Sequence, residues 1–153
     1  MELADILSEE SVVVCTNTKD KRELLEVLSK KGAEITGEDA GLIFDALMAR
    51  EELGSTGLGN GIAIPHGKFA GLNRVIAVFA RLTDPIDFDS VDDQPVDLVV
   101  MLLAPMGAGA DHLKALARVA RLLRTEDVVD SLRSTTDEKK LHDILTDPVA
   151  FAA

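Results

Sequence analysis

A histidine that follows a proline at the end of a glycine-rich run is the most chemically suggestive feature of this 153-residue chain. Glycines recur from Gly54 to Gly61, and the chain continues Ile62-Ala63-Ile64-Pro65-His66-Gly67-Lys68. Near neutral pH an imidazole is a competent nucleophile for phosphorus, and phosphoryl transfer chiefly needs positioning and charge stabilisation. Glycine lets main-chain N–H groups come close to an anion, and Pro65 stiffens the step into His66. Arg50 offers a cation nearby in sequence, while Ser55, Thr56 and Gly57 offer hydroxyls or amides as phosphate-binding candidates. Two familiar phosphate motifs do not fit. Gly57-Leu58-Gly59-Asn60-Gly61 follows a predicted helix and lacks the spacing of a dinucleotide fingerprint. Gly61 and Gly67-Lys68 stand one residue too far apart for a P-loop, and Phe69 replaces its hydroxyl residue.

The elements that must position this segment can be read from periodicity and capping. Ser11 to Cys15 is β-branched and bounded by polar residues, which predicts a short strand. Asp20 and Glu23 form a start signal for a helix with Leu24, Leu25, Val27 and Leu28 on one face, ending near Gly32. Thr36 to Asp39 opens a second helix with Leu42, Ile43, Ala46 and Leu47 as its apolar face. The stretch from Gly54 to Gly61 reads as a loop. Arg74 to Leu82 and Val96 to Ala104 are nearly continuous apolar runs, as expected for strands buried on both faces. The segment between them, with Pro85 and Ile86-Asp87-Phe88, is too short for a helical crossover, so the two should be antiparallel. Asp111 begins an amphipathic helix, with Leu113, Leu116, Ala117, Ala120 and Leu123 expected inward and Lys114, Arg118 and Arg121 outward. A short helix over Val128 to Leu132 and a last one capped by Thr135 and Glu138 complete the pattern. The expected fold is α/β: one domain over residues 1–153, with a mixed parallel and antiparallel sheet covered by helices.

Composition narrows the function. Acidic residues outnumber basic ones, 27 to 16, for a formal net charge of -11. That disfavours nucleic acid and anionic membrane as partners, since either would need Lys and Arg to meet phosphates. Cys15, the only cysteine, sits among valines and reads as a buried structural thiol. The N-terminus lacks the basic region of a signal peptide, and the run from Leu98 to Ala110 is too short to span a bilayer. A soluble cytoplasmic protein is expected. Three histidines and one cysteine without ligand spacing imply no metal site, and no cofactor is called for. His142 reads as solvated or locally ion-paired. The acidic run Asp84, Asp87, Asp89, Asp92 and Asp93 reads as solvated surface, with docking of a basic partner as its alternative.

The string from Arg50 to Lys68 resembles the active-site segment of the phosphotransferase system enzyme IIA proteins of the mannitol, fructose and nitrogen-regulatory superfamily. The resemblance extends over essentially the whole chain, and the wording Asn60 to Lys68 is most similar to the nitrogen-regulatory branch. It implies that His66 is the phosphoryl acceptor. It further implies that Arg50 lies beside it and that His112 is a second histidine of the same site, not itself the stable carrier. An HPr-like histidine phosphocarrier would be the donor, and regulatory proteins that read the state of His66 would be the targets. The alternative is a sugar-specific enzyme IIA of fructose or mannitol type, which relays phosphate to a transporter IIB domain.

Overall fold

In the computed structural model, which describes residues 2–147, a six-stranded mixed sheet is the central layer, with helices on both faces. Two 3-10 turns, Leu3–Asp5 and Glu9–Ser11, lead into strand β1 (Val12–Cys15). Helices α1 (Lys21–Thr36) and α2 (Ala40–Glu52) follow. Next come three short strands, β2 (Gly57–Gly59), β3 (Ile62–Ala63) and β4 (His66–Phe69), and two long ones, β5 (Ile76–Ile86) and β6 (Val96–Pro105). The chain ends in α3 (Gly109–Leu122), α4 (Glu126–Arg133) and α5 (Glu138–Thr146). The strand order is β1-β5-β6-β3-β2, with β4 also on β6. As expected, β5 and β6 are antiparallel; β1 is parallel to β5, and β3 and β4 are both parallel to β6. Among the described residues no helix is long and apolar enough to cross a membrane.

The continuous apolar runs of β5 and β6 have a simple cause, since alternate residues enter two separate cores. Val75, Ala77, Phe79, Val100 and Leu102 pack beneath α3, α4 and α5. Ile76, Val78, Ala80, Met101 and Leu103 pack beneath α1 and α2, with Leu24, Leu28, Ile43 and Leu47.

Several elements depart from their sequence reading. Helix α1 does not stop at Gly32 but runs on to Thr36, where Gly37 caps it at φ 79. Gly32 is a packing residue. A Cβ there would lie 3.1 Å from Met101 Cε and 3.2 Å from Leu103 Cδ1, so its absence lets the helix settle on the sheet. Asp39 alone caps α2, accepting from Leu42 N–H, and Leu42 itself is exposed. The last helix is capped by Asp137, not Thr135. The expected loop from Gly54 to Gly61 contains β2, which turns through Asn60 and Gly61, both at positive φ, to pair with β3 just beyond it. In α3 the buried stripe is His112, Ala115, Val119 and Leu122. Leu113, expected inward, is exposed, as is Ala117, while Leu116 and Ala120 are only partly buried. The inward stripe is offset by one position from the one the leucines suggest, and that offset turns His112 toward the sheet.

Candidate functional site

The site is built on an interrupted strand. Ile62 and Ala63 of β3 pair with Leu98 and Val99, and His66 to Phe69 of β4 pair with Leu102 to Pro105, in the same register along β6. Strands β3 and β4 are therefore two halves of one line, broken at Ile64-Pro65. Pro65 has no N–H for the ladder, but its carbonyl accepts from Leu102 N–H at 2.9 Å. His66 is the first residue beyond the break and is half-buried.

Register decides which way the side chains point. His66 and Lys68 are partnered by Leu102 and Ala104, which belong to the core under α3. Gly67 is partnered by Leu103, which belongs to the core under α2. A Cβ on Gly67 would sit 3.5 Å from Ala46 Cβ, so α2 lies directly against β4. His66 thus comes between the two helical layers, and each layer contributes one partner. From α2, Arg50 Nε–H donates to His66 Nε2 at 3.3 Å. From α3, the His112 ring lies with its centroid 5.4 Å from that of His66, tilted by 56°. The structure brings together Arg50, His66 and His112, far apart as they are in sequence.

Hydrogen bonding sets the tautomer of His66. Its Nδ1 lies 2.9 Å from the Ile64 carbonyl oxygen, which can only accept, so Nδ1 carries the proton. Nε2 keeps its lone pair and faces the Arg50 guanidinium. Arg50 is held in turn by donation from Nη1 to the Gly54 carbonyl at 2.8 Å. Such an imidazole is oriented for attack through Nε2, with a cation beside the position where anionic oxygens would arrive.

Ser55, Thr56 and Gly57, the phosphate-binding candidates, make hydrogen bonds within their own loop and to its neighbours. Ser55 Oγ donates to the Phe88 carbonyl at 2.6 Å and accepts from Gly57 N–H at 3.0 Å. Thr56 donates from both its N–H and its hydroxyl to the Glu51 carboxylate. The two hydroxyls and the Thr56 and Gly57 N–H groups thus help to hold the loop.

His112 is buried, and its Nδ1 has no hydrogen-bond partner in the structure. Burial first, then unfavourable electrostatic interaction of its protonated form with His66 and Lys68, holds its pKa below the ordinary imidazole value of 6.5. It is therefore neutral at pH 7 and able both to donate and to accept. The linkage follows in sign: the unfolded chain binds the proton as pH falls through 6.5, and the folded chain does so only at lower pH. The stability tied to neutral His112 is thus complete above 6.5 and declines as the pH falls through and below that value. In urea titrations from pH 7.5 to 5, His112→Gln is expected to flatten the fall in unfolding free energy relative to the parent. Identical slopes for the two proteins would show that no proton is linked to this burial.

The remaining expected features lie elsewhere. His142 Nε2 lies 3.0 Å from the Leu7 carbonyl oxygen, a link between α5 and the N-terminal segment. Among the described residues, no group of three or more His, Cys, Asp or Glu is placed to hold a metal ion. Cys15 is buried, and burial raises its pKa above the ordinary thiol value.

Residues 5–147 match the family model described as phosphoenolpyruvate-dependent sugar phosphotransferase system, EIIA 2. The chain belongs to this enzyme IIA family. Within it, the chain is 48% identical over 153 residues, all of both proteins, to a nitrogen regulatory protein of Bradyrhizobium diazoefficiens. It is 38% identical over 127 residues, 83% of this chain and 81% of the relative, to a fructose-specific EIIA component of Haloferax volcanii. A crystal structure of nitrogen regulatory protein IIA-Ntr from Neisseria meningitidis superposes with a TM-score of 0.88 at 33% identity, covering 94% of this chain and 99% of that one. As an enzyme IIA, the protein is a phosphotransferase component with a nitrogen-regulatory type of sequence.

Proposed function

We propose that this enzyme IIA is a phosphohistidine carrier that accepts a phosphoryl group on His66 Nε2 from an HPr-like, nitrogen-branch phosphocarrier and acts in nitrogen-regulatory signalling in the cytoplasm. The observation that carries this reading is the fixed tautomer of His66, with Nδ1–H on Ile64 O and the Nε2 lone pair facing Arg50. The step balances simply: the donor's P–N bond breaks as a new N–P bond forms on Nε2. Arg50 leaves the lone pair and meets the phosphoryl oxygens, and Nδ1–H stays on the Ile64 carbonyl. The new group carries close to two negative charges, and a neutral, buried His112 beside it adds a donor without a second full charge.

A second reading, relay to a IIB domain of fructose type, is supported by the similarity to the fructose-specific component. One experiment serves both. The protein is incubated with phosphoenolpyruvate, the first phosphotransferase enzyme and candidate HPr-like carriers, and the product is analysed by mass and by 15N and 31P NMR. One acid-labile phosphoryl group on His66 Nε2 is expected. A phosphoryl group on Nδ1, or none with any carrier, contradicts the proposal. Rapid onward transfer to an added fructose-type IIB domain would decide for the relay.

A further inference from the structure

Directly after Arg50 stands a carboxylate that the phosphoryl chemistry does not use. Glu51 is buried, with its side chain only 3% exposed. Its Oε1 accepts from Thr56 N–H at 3.0 Å and pairs with Lys21 Nζ at 2.9 Å, and Oε2 accepts from the Thr56 hydroxyl. Lys21 also lies over the Phe88 ring, 4.5 Å from its centroid. Removing such a charge from water is costly unless it is fully bonded, as it is here.

The bonds lead to the site by two routes. Along the first, the Thr56 carbonyl accepts from Ile64 N–H at 3.1 Å, and the Ile64 carbonyl accepts from His66 Nδ1 at 2.9 Å. Along the second, Gly54 N–H donates to the Glu51 main-chain carbonyl at 3.1 Å, and the Gly54 carbonyl holds Arg50 Nη1 at 2.8 Å. The carbonyl that orients Arg50 thus belongs to the loop fastened at Thr56 to this carboxylate, and the one that orients His66 belongs to Ile64, whose own N–H is held by Thr56. A shift of the loop from Leu53 to Gly57 would move the Gly54 carbonyl directly and disturb the Thr56 bond that holds Ile64.

We infer that Glu51 is the positioning residue of this site, locking the His66 tautomer and the Arg50 guanidinium through its grip on Thr56. The inference rests on the phosphohistidine reading for its kinetic part and on geometry alone for its tautomeric part. Glu51→Gln removes the charge that the Thr56 donors and Lys21 share, and Thr56→Val removes the hydroxyl while keeping the shape. In 15N imidazole NMR at a pH where His66 is neutral, the parent shows the Nδ1–H form, and both variants are expected to show a mixture with Nε2–H. Because small displacements of reacting groups cost up to about a hundredfold, kcat for phosphoryl uptake should fall about tenfold or more, with KM changed less than about twofold. Thr56→Ser restores the donor and should restore both readouts. Should Glu51→Gln not fold, Thr56→Val decides. An unchanged tautomer with unchanged kcat overturns the inference, even if the melting temperature falls. A parent protein that takes up no phosphoryl group refutes the carrier reading and leaves the tautomer measurement as the test of positioning.

Discussion

His66→Ala is expected to abolish phosphoryl uptake entirely, with no added mass after incubation with the complete donor system. The expectation follows from the number of nucleophiles the fold offers. The chain has three histidines. His142 lies against the Leu7 carbonyl near the N-terminal segment, bound in the α5 layer. His112 is buried, and its ring approaches the site from α3 behind His66. Only His66 joins partial exposure to an unprotonated ring nitrogen beside a cation. The substitution removes a half-buried ring at the start of a short strand and leaves both apolar cores intact, so the melting temperature should change little. His112→Ala should still accept one equivalent, more slowly, and His142→Ala should match the parent. Full labelling of His66→Ala would refute the assignment of the acceptor.

How much of this was legible in the sequence depends on the range of the interaction that decides each feature. Long apolar runs announced β5 and β6 because burial on both faces leaves no room for polar alternation. Asp20 was legible as a cap because capping is local, and the structure shows it accepting from Glu23 N–H at 2.8 Å. Gly32 misled because the same residue serves as helix terminator and as contact point, and only the sheet beneath shows which. Asn60-Gly61 was a readable hairpin signal, hidden within a run of other glycines. The face of α3 was misjudged because leucine was weighed above histidine. The buried stripe includes His112, while Leu113 is 66% exposed. Arg50, His66 and His112 were gathered by resemblance; no periodicity could have shown that two helical layers meet at the break in a strand. Glu51 gave no signal. A glutamate in the last turn of a helix looks like solvated surface until the loop folds back to place Thr56 on it. Ser55 and Thr56 were legible only as hydroxyls near His66 in sequence; their bonds to the Phe88 carbonyl and the Glu51 carboxylate depend on how the loop folds back.

Arg50→Ala should slow phosphoryl uptake by about a hundred- to a thousandfold, the usual consequence of removing one preorganised donor from a developing anion. In the resting site the guanidinium makes two bonds, Nε–H to His66 Nε2 at 3.3 Å and Nη1–H to the Gly54 carbonyl at 2.8 Å. The first must be given up when Nε2 attacks phosphorus, while the second can persist as an anchor. The side chain is thus placed to exchange a neutral acceptor for phosphoryl oxygens over a short path. Lysine has the charge but not the planar fork, and it cannot hold the Gly54 carbonyl and two phosphoryl oxygens in the same geometry. Arg50→Lys should therefore fall between the parent and Arg50→Ala. The loss should appear mainly in kcat, because the interaction with phosphoryl oxygens strengthens as the group is transferred. The phosphorylated alanine variant should also lose its phosphoryl group to water faster than the parent, since the cation that shields the N–P bond is gone. Stopped-flow transfer from the phosphorylated carrier gives the first quantity, and 31P NMR decay of the isolated phosphoprotein gives the second. An Arg50→Ala protein with near-parental kcat would show that the guanidinium only props the loop at Gly54, and that charge stabilisation comes from another group.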